Sequence, residues 1–277
     1  MTVRRNLVLG FFIFSGLAAG LAFLPKSVVS NKPAEVSAEE KPSAETSAGE
    51  AVQEAHKADP ALEKELAAIR DEFGSGRAAE EKAKAGEKMA RAFLKGHQYD
   101  SAGAWFEKTM AIQPGMHLEF EAGSAYFEGL AFSNAPSKLE NMAEKSRKLL
   151  LSVDKKNPRY AEAQAKAAIT WVNSPSPMKG ILRLRELASE YPENAYIAYQ
   201  LGMLSFQSGQ HEKAIDRFRK ALELEPENVN AWFYLSNSLM QLGRKKEALE
   251  AARSGLRLAK EDDSRASFEE MLKQLEK

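Results

Sequence analysis

A period of thirty-four residues is the feature that most constrains how this chain of 277 residues folds. Five residues near the C-terminus recur at that offset. They are Leu201, Gly209, Ala214, Leu222 and Leu224, which return as Leu235, Gly243, Ala248, Leu256 and Leu258. A fixed period of this length is typical of repeat architectures, in which each unit buries its apolar face against its neighbours. The chain is therefore predicted to stack similar units in a row.

Each unit contains two apolar stripes with helical spacing. The second stripe consists of Ala214, Ile215, Phe218, Ala221 and Leu222, which fall on one face of a helix with a 3.6-residue period. The first stripe consists of Ala198, Leu201, Gly202 and Leu204. The Ser-Gly-Gln sequence at 208–210 separates them and interrupts a helix. The pattern predicts two antiparallel helices joined by a short turn.

These residues resemble the tetratricopeptide repeat (TPR). In residues 195–228 the family's L-G, A-x-x-x-F, A and P positions hold Leu201, Gly202, Ala214, Phe218, Ala221 and Pro226. Residues 229–262 match at Trp232, Leu235, Ala248 and Gly255, but have Ala252 and Lys260 where Phe and Pro are usual. The resemblance implies an all-α fold, a right-handed α-solenoid of helix–turn–helix hairpins that serves protein binding.

The repeat register extends towards the N-terminus. Ala102, Phe106 and Pro114 have the spacing of the later unit, so a hairpin is predicted over 83–116. Residues 117–157 and 158–194 are predicted to form two longer hairpins. The buried residues expected in the first of these are Leu118, Ala122, Ala125, Tyr126, Met142, Leu149, Leu150 and Val153. A helix over 61–73 is predicted to cap the solenoid domain of 61–277 at one end, because solenoid ends need covering. At the other end a capping helix is predicted after the N-cap signal at 262–264, with Phe268, Met271, Leu272 and Leu275 on one face.

An uncharged apolar segment lies near the N-terminus. Residues 6–24 contain no charge over nineteen positions, which at about 1.5 Å per residue approaches the ~30 Å of a bilayer core. Arg4 and Arg5 precede it and favour a cytoplasmic N-terminus. We expect 1–25 to be a transmembrane anchor, with a cleaved signal peptide as the alternative. Gly16 and Gly20 either pack two such helices together or are incidental small residues.

Residues 26–60 are predicted to form a linker rich in Ala, Glu, Ser and Pro. Within it, 33–60 has no aromatic residue, and two Lys against seven Asp and Glu give a formal charge of −5. Such a segment buries too little apolar surface to offset the entropy of ordering, so we expect it to be disordered. The expected localisation is the bacterial inner membrane, with a single membrane span and the C-terminal domain in the periplasm.

The composition limits the available chemistry. The absence of cysteine excludes disulfides, thiolate metal sites and a cysteine nucleophile. Thirty-nine basic and thirty-nine acidic residues give no net charge, which disfavours general nucleic-acid binding. The histidines form no metal-binding motif, and no phosphate-binding loop or nucleophile motif is present. We therefore predict neither enzymatic activity nor a cofactor or metal site.

Ten residues are predicted to line an inner groove of the solenoid, on the first helices of the last two repeats. By the family register they are Tyr196, Tyr199, Met203, Phe206, Gln207, Asn230, Phe233, Asn237, Met240 and Gln241. Aromatic and Met side chains are typical of surfaces that bind a peptide or helix. Alternatively, some of them pack on the middle turns or the capping helix. Earlier first helices present charges there instead, namely Lys84, Glu87, Arg91, Lys95, Glu121, Glu128, Arg159, Glu162 and Lys166.

The expected function is that of a membrane-tethered scaffold or adaptor for proteins or peptides. Envelope assembly, secretion and cytochrome c maturation are the processes in which similar bacterial TPR proteins serve. One TPR subclass binds chaperone C-termini through a Lys/Asn/Arg clamp, but here Phe233 occupies the lysine position beside a matching Asn237. The alternative is a structural protein that forms homo-oligomers, which light scattering on 61–277 would distinguish.

Overall fold

The computed structural model describes residues 60–276 except 116 and 134. The predicted membrane anchor and nearly all of the predicted linker lie outside these residues. The chain divides into two compact units, Met1–Ile69 and Arg70–Lys277. In the part of the first unit that is described, Leu66 and Ile69 are buried. None of the described helices combines the length and the hydropathy that a membrane span requires.

The described residues form twelve α-helices and a short 3₁₀ helix. The α-helices are α1 (Pro60–Ser75), α2 (Ala79–Lys95), α3 (Tyr99–Ile112), α4 (Leu118–Gly129), α5 (Pro136–Ser152), α6 (Tyr160–Val172), α7 (Pro177–Glu190), α8 (Ala195–Gln207), α9 (His211–Leu224), α10 (Val229–Gln241), α11 (Lys245–Leu258) and α12 (Asp262–Glu276). The 3₁₀ helix, Leu130–Phe132, lies within the long turn between α4 and α5. The predicted all-helical fold is confirmed for this part of the chain.

Helices α2 to α11 form five hairpins in the predicted order. Each helix packs on the next along the chain, and the first helices also contact one another, α4 with α6, α6 with α8 and α8 with α10. The two longer hairpins occur where they were predicted. The first hairpin begins earlier than predicted, since α2 starts at Ala79 rather than at residue 83. The first turn of α2 is mostly charged, so it lacks the apolar periodicity that would have predicted the earlier start.

The predicted apolar stripes form the core. All five residues of the α9 stripe are buried, as are the eight residues expected to be buried in the 117–157 hairpin. Small residues permit close helix packing, because a Cβ built on Gly202 would lie 2.6 Å from the Phe218 ring. Trp232 is only half-buried, and its Nε1 donates a hydrogen bond to the Pro226 carbonyl at 2.8 Å. It therefore also fixes the connection between the last two hairpins.

Aromatic and apolar side chains from α12 and from the end of α1 pack at the two ends of the hairpin stack. Phe268, Met271 and Leu275 of α12 are buried against the core of the last two hairpins. At the other end, the Phe73 ring packs edge-on against Trp105, with centroids 5.1 Å apart. The predicted roles of these two helices as caps stay predictions.

Two glycines determine the turns within the last two hairpins. Gly209 has a φ of 71° and Gly243 a φ of 69°, both in the left-handed region that favours glycine. Each turn is closed by a backbone hydrogen bond, from Gln210 to Ser205 at 2.9 Å and from Arg244 to Leu239 at 2.9 Å. This geometry lets α8 and α10 end and the chain reverse direction within a few residues.

We predict that Gly209→Ala and Gly243→Ala each lower the free energy of unfolding by about 1–2 kcal/mol, since a Cβ disfavours the left-handed conformation. Urea unfolding followed by circular dichroism measures the change. Gly74→Ala is the matched control, because a Cβ there meets nothing within 4 Å and the residue lies in α1. An equal loss in the control would show that left-handed backbone is not the cause.

Candidate interaction surface on the first helices

The first helices α2, α4, α6, α8 and α10 together form what is here called the inner face. Its N-terminal part carries charged side chains that pair with one another. The Arg159 guanidinium lies 3.4 Å from a Glu121 carboxylate oxygen, and Lys166 Nζ lies 3.1 Å from Glu128 and 3.5 Å from Glu162. The predicted charges on α4 and α6 therefore neutralise one another across adjacent hairpins.

Lys166 is the most enclosed of these charged residues. Only 7% of its side chain is exposed, and its ammonium lies 5.4 to 5.9 Å from the ring centres of Phe120, Phe127 and Tyr196. A cation over aromatic faces is stabilised by the ring quadrupoles. Lys166 thus connects α4, α6 and α8 through both carboxylates and rings.

Tyr196, one of the predicted groove residues, lies beside this charged cluster. Burial raises the pKa of its phenol, and the nearby carboxylates of Glu128 and Glu162 add to that effect. Its hydroxyl oxygen is buried, and the Gln200 side chain lies near it. The residue therefore marks the point at which the charged part of the inner face meets the uncharged part.

An aromatic cluster joins the last two hairpins. The Tyr199 ring centre lies 5.9 Å from that of Phe218, and the Phe206 ring centre lies 5.3 Å from that of Tyr234. Tyr234 also stacks on Phe218, with ring centres 5.9 Å apart. Burial raises the pKa values of Tyr199 and Tyr234. Phe218 is fully buried and the other three rings are half-buried, so the cluster holds the two hairpins together.

The capping helix reaches the predicted groove at one position. The Phe233 ring packs edge-on against Phe268 of α12, with ring centres 5.6 Å apart. This is the alternative that the sequence left open for some groove residues. Phe233 therefore packs against α12 as well as occupying a predicted groove position.

The other predicted groove residues differ in exposure. Met203 and Met240 are half-buried and pack against the core. Asn237 donates a hydrogen bond from Nδ2 to the Phe233 carbonyl at 3.0 Å, and Gln207 is half-buried. Asn230 and Gln241 are exposed. Among the predicted groove residues, Asn230 and Gln241 can therefore contact another molecule with the least effect on the fold.

Tyr234 was not among the predicted site residues, although it contacts more rings of the cluster than any predicted residue does. Its ring lies within 6.4 Å of those of Tyr199, Phe206, Phe218 and Phe233. The family register places it one residue beyond a groove position. The sequence feature that could have indicated its role is the run of three aromatic residues from Trp232 to Tyr234.

The surface cavities of the described residues include the following two. One, of about 530 Å³, is lined by Glu72, Ser75, Gly76, Glu81, Lys84, Glu87, Lys88 and Arg91. The other, of about 440 Å³, lies between α9, α10 and α11 and is lined by Arg219, Leu222, Glu223, Trp232, Leu235, Leu239, Glu247, Glu250, Ala251 and Ser254. Within 60–276 no group of three or more His, Asp or Glu side chains is arranged to hold a metal ion.

Stacked hairpins of this geometry define a helical-repeat protein. Residues 199–266 match the family model described as tetratricopeptide repeat. The match covers most of the last two hairpins, the part of the chain in which the sequence pattern predicted tetratricopeptide repeats. Such repeats are scaffolds for protein–protein interaction, and proteins built from them are generally not enzymes.

Solved structures with a similar arrangement include MamA and YrrB. One MamA structure is 16% identical with a TM-score of 0.42, over 68% of this chain and 95% of that chain. Another, MamA MSR-1 C2, is 19% identical with a TM-score of 0.40, over 58% and 88%. YrrB, described as a TPR protein with an unusual peptide-binding site, is 13% identical with a TM-score of 0.40, over 74% and 99%. No curated protein matches the sequence.

We predict that Glu128→Gln combined with Glu162→Gln lowers the free energy of unfolding by about 1–3 kcal/mol, because Lys166 then remains enclosed without a carboxylate. Adding Lys166→Met should restore most of the loss, since it removes the unpaired cation. Chemical denaturation of the three-substitution and two-substitution proteins checks both effects. If Lys166→Met deepens the loss instead, the ammonium contributes more through its rings than through its carboxylates.

Proposed function

We propose that the chain is a scaffold that holds a protein or peptide partner on the inner face of α8 and α10. The observation that carries this proposal is the contrast within the inner face. On α4 and α6 the charges are paired within the protein, whereas the ten predicted groove positions on α8 and α10 carry no charge. Their aromatic, Met and amide groups favour an apolar partner segment that also forms hydrogen bonds.

The packing of the groove determines how its role can be tested. Tyr199 and Phe233 contact core rings, so truncating them to alanine would weaken the fold as well as any binding. Asn230 and Gln241 are exposed on the same helix and can be replaced at little cost to stability. Substitutions at these two positions separate binding from folding.

We predict that a photo-cross-linking amino acid in place of Gln241 captures discrete protein partners in intact cells, and that Asn230→Arg removes those products. The arginine introduces bulk and charge into an uncharged face, which should weaken binding at least about tenfold. The same cross-linker at Glu250, exposed on the second helix α11, is the matched control.

Equal capture from both positions, or capture that Asn230→Arg leaves unchanged, would remove the groove from consideration. Thermal unfolding of the Asn230→Arg protein should match that of the unmodified chain. This comparison excludes misfolding as the cause of a lost product.

The proposal includes the location of the scaffold. Arg4 and Arg5 before the uncharged residues 6–24 support a single span in a bacterial inner membrane, with 61–277 in the periplasm. A scaffold held there suits envelope assembly, secretion or cytochrome c maturation.

We predict that alkaline phosphatase fused to the C-terminus is active in a bacterial host, because this enzyme needs the oxidising periplasm to form its disulfides. Deleting residues 6–24 should abolish that activity at equal expression. An active fusion without residues 6–24, or an inactive one with them, would contradict the assignment.

A further inference from the structure

A basic and apolar patch lies on α5 and α7, the second helices of adjacent hairpins. We define it by Arg147, Lys148, Leu151, Trp171, Met178, Lys179 and Leu182. Trp171, at the end of α6, connects its two halves. The Arg147 guanidinium lies 5.3 Å from the centre of the indole ring, and Lys179 Nζ lies 4.1 Å from it. The Trp171 ring thus brings cations from both second helices together.

Apolar side chains protrude beside these cations. Met178 is 57% exposed, Leu182 is 52% exposed and Leu151 is 43% exposed. Met178 and Leu182 are one turn apart on α7, and Leu151 follows Arg147 by one turn on α5, so each set shares a helix face. Among the described residues, Phe132 is the other large apolar side chain exposed to this degree. Three of these four exposed side chains therefore belong to the patch.

The sequence segment that contains the patch is positively charged, although the whole chain is neutral. Residues 136–190 contain eleven Lys and Arg against six Asp and Glu, a formal charge of +5. Arg183 and Lys145 are paired with carboxylates. Five other exposed cations have no ion pair in the described part of the chain: Lys148, Lys155, Lys156, Lys179 and Arg185. Their charges are available to an anionic surface.

The large apolar side chains of the patch lie exposed at the surface, since Leu151, Met178 and Leu182 are 43 to 57% exposed. Protein interfaces instead concentrate their binding energy where anchor side chains fill pockets. Protruding Leu and Met side chains ringed by Lys and Arg suit the boundary between lipid headgroups and acyl chains. We propose that this patch docks on an anionic lipid bilayer.

This contact is independent of the groove on α8 and α10. The patch lies on second helices and the groove on first helices, so a protein partner and a lipid surface can be bound at the same time. Docking of α5 and α7 would orient the repeats relative to the membrane, whatever attaches the chain to it. Failure of either proposal would leave the other unaffected.

The test uses the full-length chain and takes advantage of its lack of cysteine. Leu182→Cys provides a single site for an environment-sensitive fluorophore, and Lys246→Cys, exposed on the second helix α11, provides the matched control. Each labelled protein is mixed with vesicles of phosphatidylcholine alone, or of phosphatidylcholine with 30 mol% phosphatidylglycerol. A fluorophore on the patch reports local burial regardless of how the N-terminus associates with the vesicle.

We expect a blue shift at position 182 with the anionic vesicles and none at position 246. Lys148→Glu with Lys179→Glu should lower the apparent affinity for the shift by at least about tenfold, because each basic residue near the surface contributes to the attraction. Lys245→Glu with Lys246→Glu, tested in the Leu182→Cys protein, changes the net charge equally and should leave the shift in place. Met178→Ser should weaken it without changing its dependence on salt.

Three outcomes would overturn the proposal. The first is no shift at position 182 with anionic vesicles. The second is an equal shift at position 246, which would indicate adsorption without orientation. The third is a shift with poly-L-glutamate but not with vesicles, which would assign the patch to an acidic polypeptide.

Discussion

Close approach of paired helices is the constraint on which the rest of this structure depends. A single hairpin cannot bury its apolar stripe, so neighbouring hairpins must pack tightly, and tight packing needs small residues where helices cross. Gly202 against Phe218 shows the requirement within one hairpin, and Gly255 against Phe268 shows it between α11 and α12, since a Cβ at either glycine would overlap the ring. The same kind of contact therefore closes a hairpin and attaches the last helix.

This packing leaves the first and second helices with different surfaces. On the inner face, α4 and α6 use their charges in ion pairs around Lys166, while α8 and α10 present uncharged groups. On the second helices, Arg147 and Lys179 lie beside Trp171 without a carboxylate partner in the described region. The consequence is a scaffold whose two surfaces favour different chemistry, apolar and amide contacts on one and anionic contacts on the other.

Sequence periodicity predicted the fold well and the candidate site less well. Helical spacing correctly predicted the buried residues of the irregular 117–157 hairpin, because the spacing of residues along a helix decides which side chains share its buried face. The sequence did not predict the role of Tyr234. Its ring contacts Tyr199 of α8 and Phe218 of α9, but the family register gives its position no place in the groove. Tyr196 was placed in the groove, but its neighbours are Lys166 and two carboxylates from other hairpins. Contacts between hairpins depend on side-chain reach and rotamer, which a one-dimensional pattern does not contain.

By itself the sequence determined the number of hairpins, the position of their turns and the residues that form the core. Those features rest on local rules, namely the 3.6-residue period, glycine at left-handed turn positions and proline between hairpins. Only the tertiary structure decided which polar and aromatic side chains meet. Lys166 lies thirty-eight residues from Glu128 and Trp171 lies twenty-four residues from Arg147, and these pairs come together only once the hairpins have stacked. The physical reason is that the spacing between hairpins, set by packing, fixes the distances at which charges and rings interact.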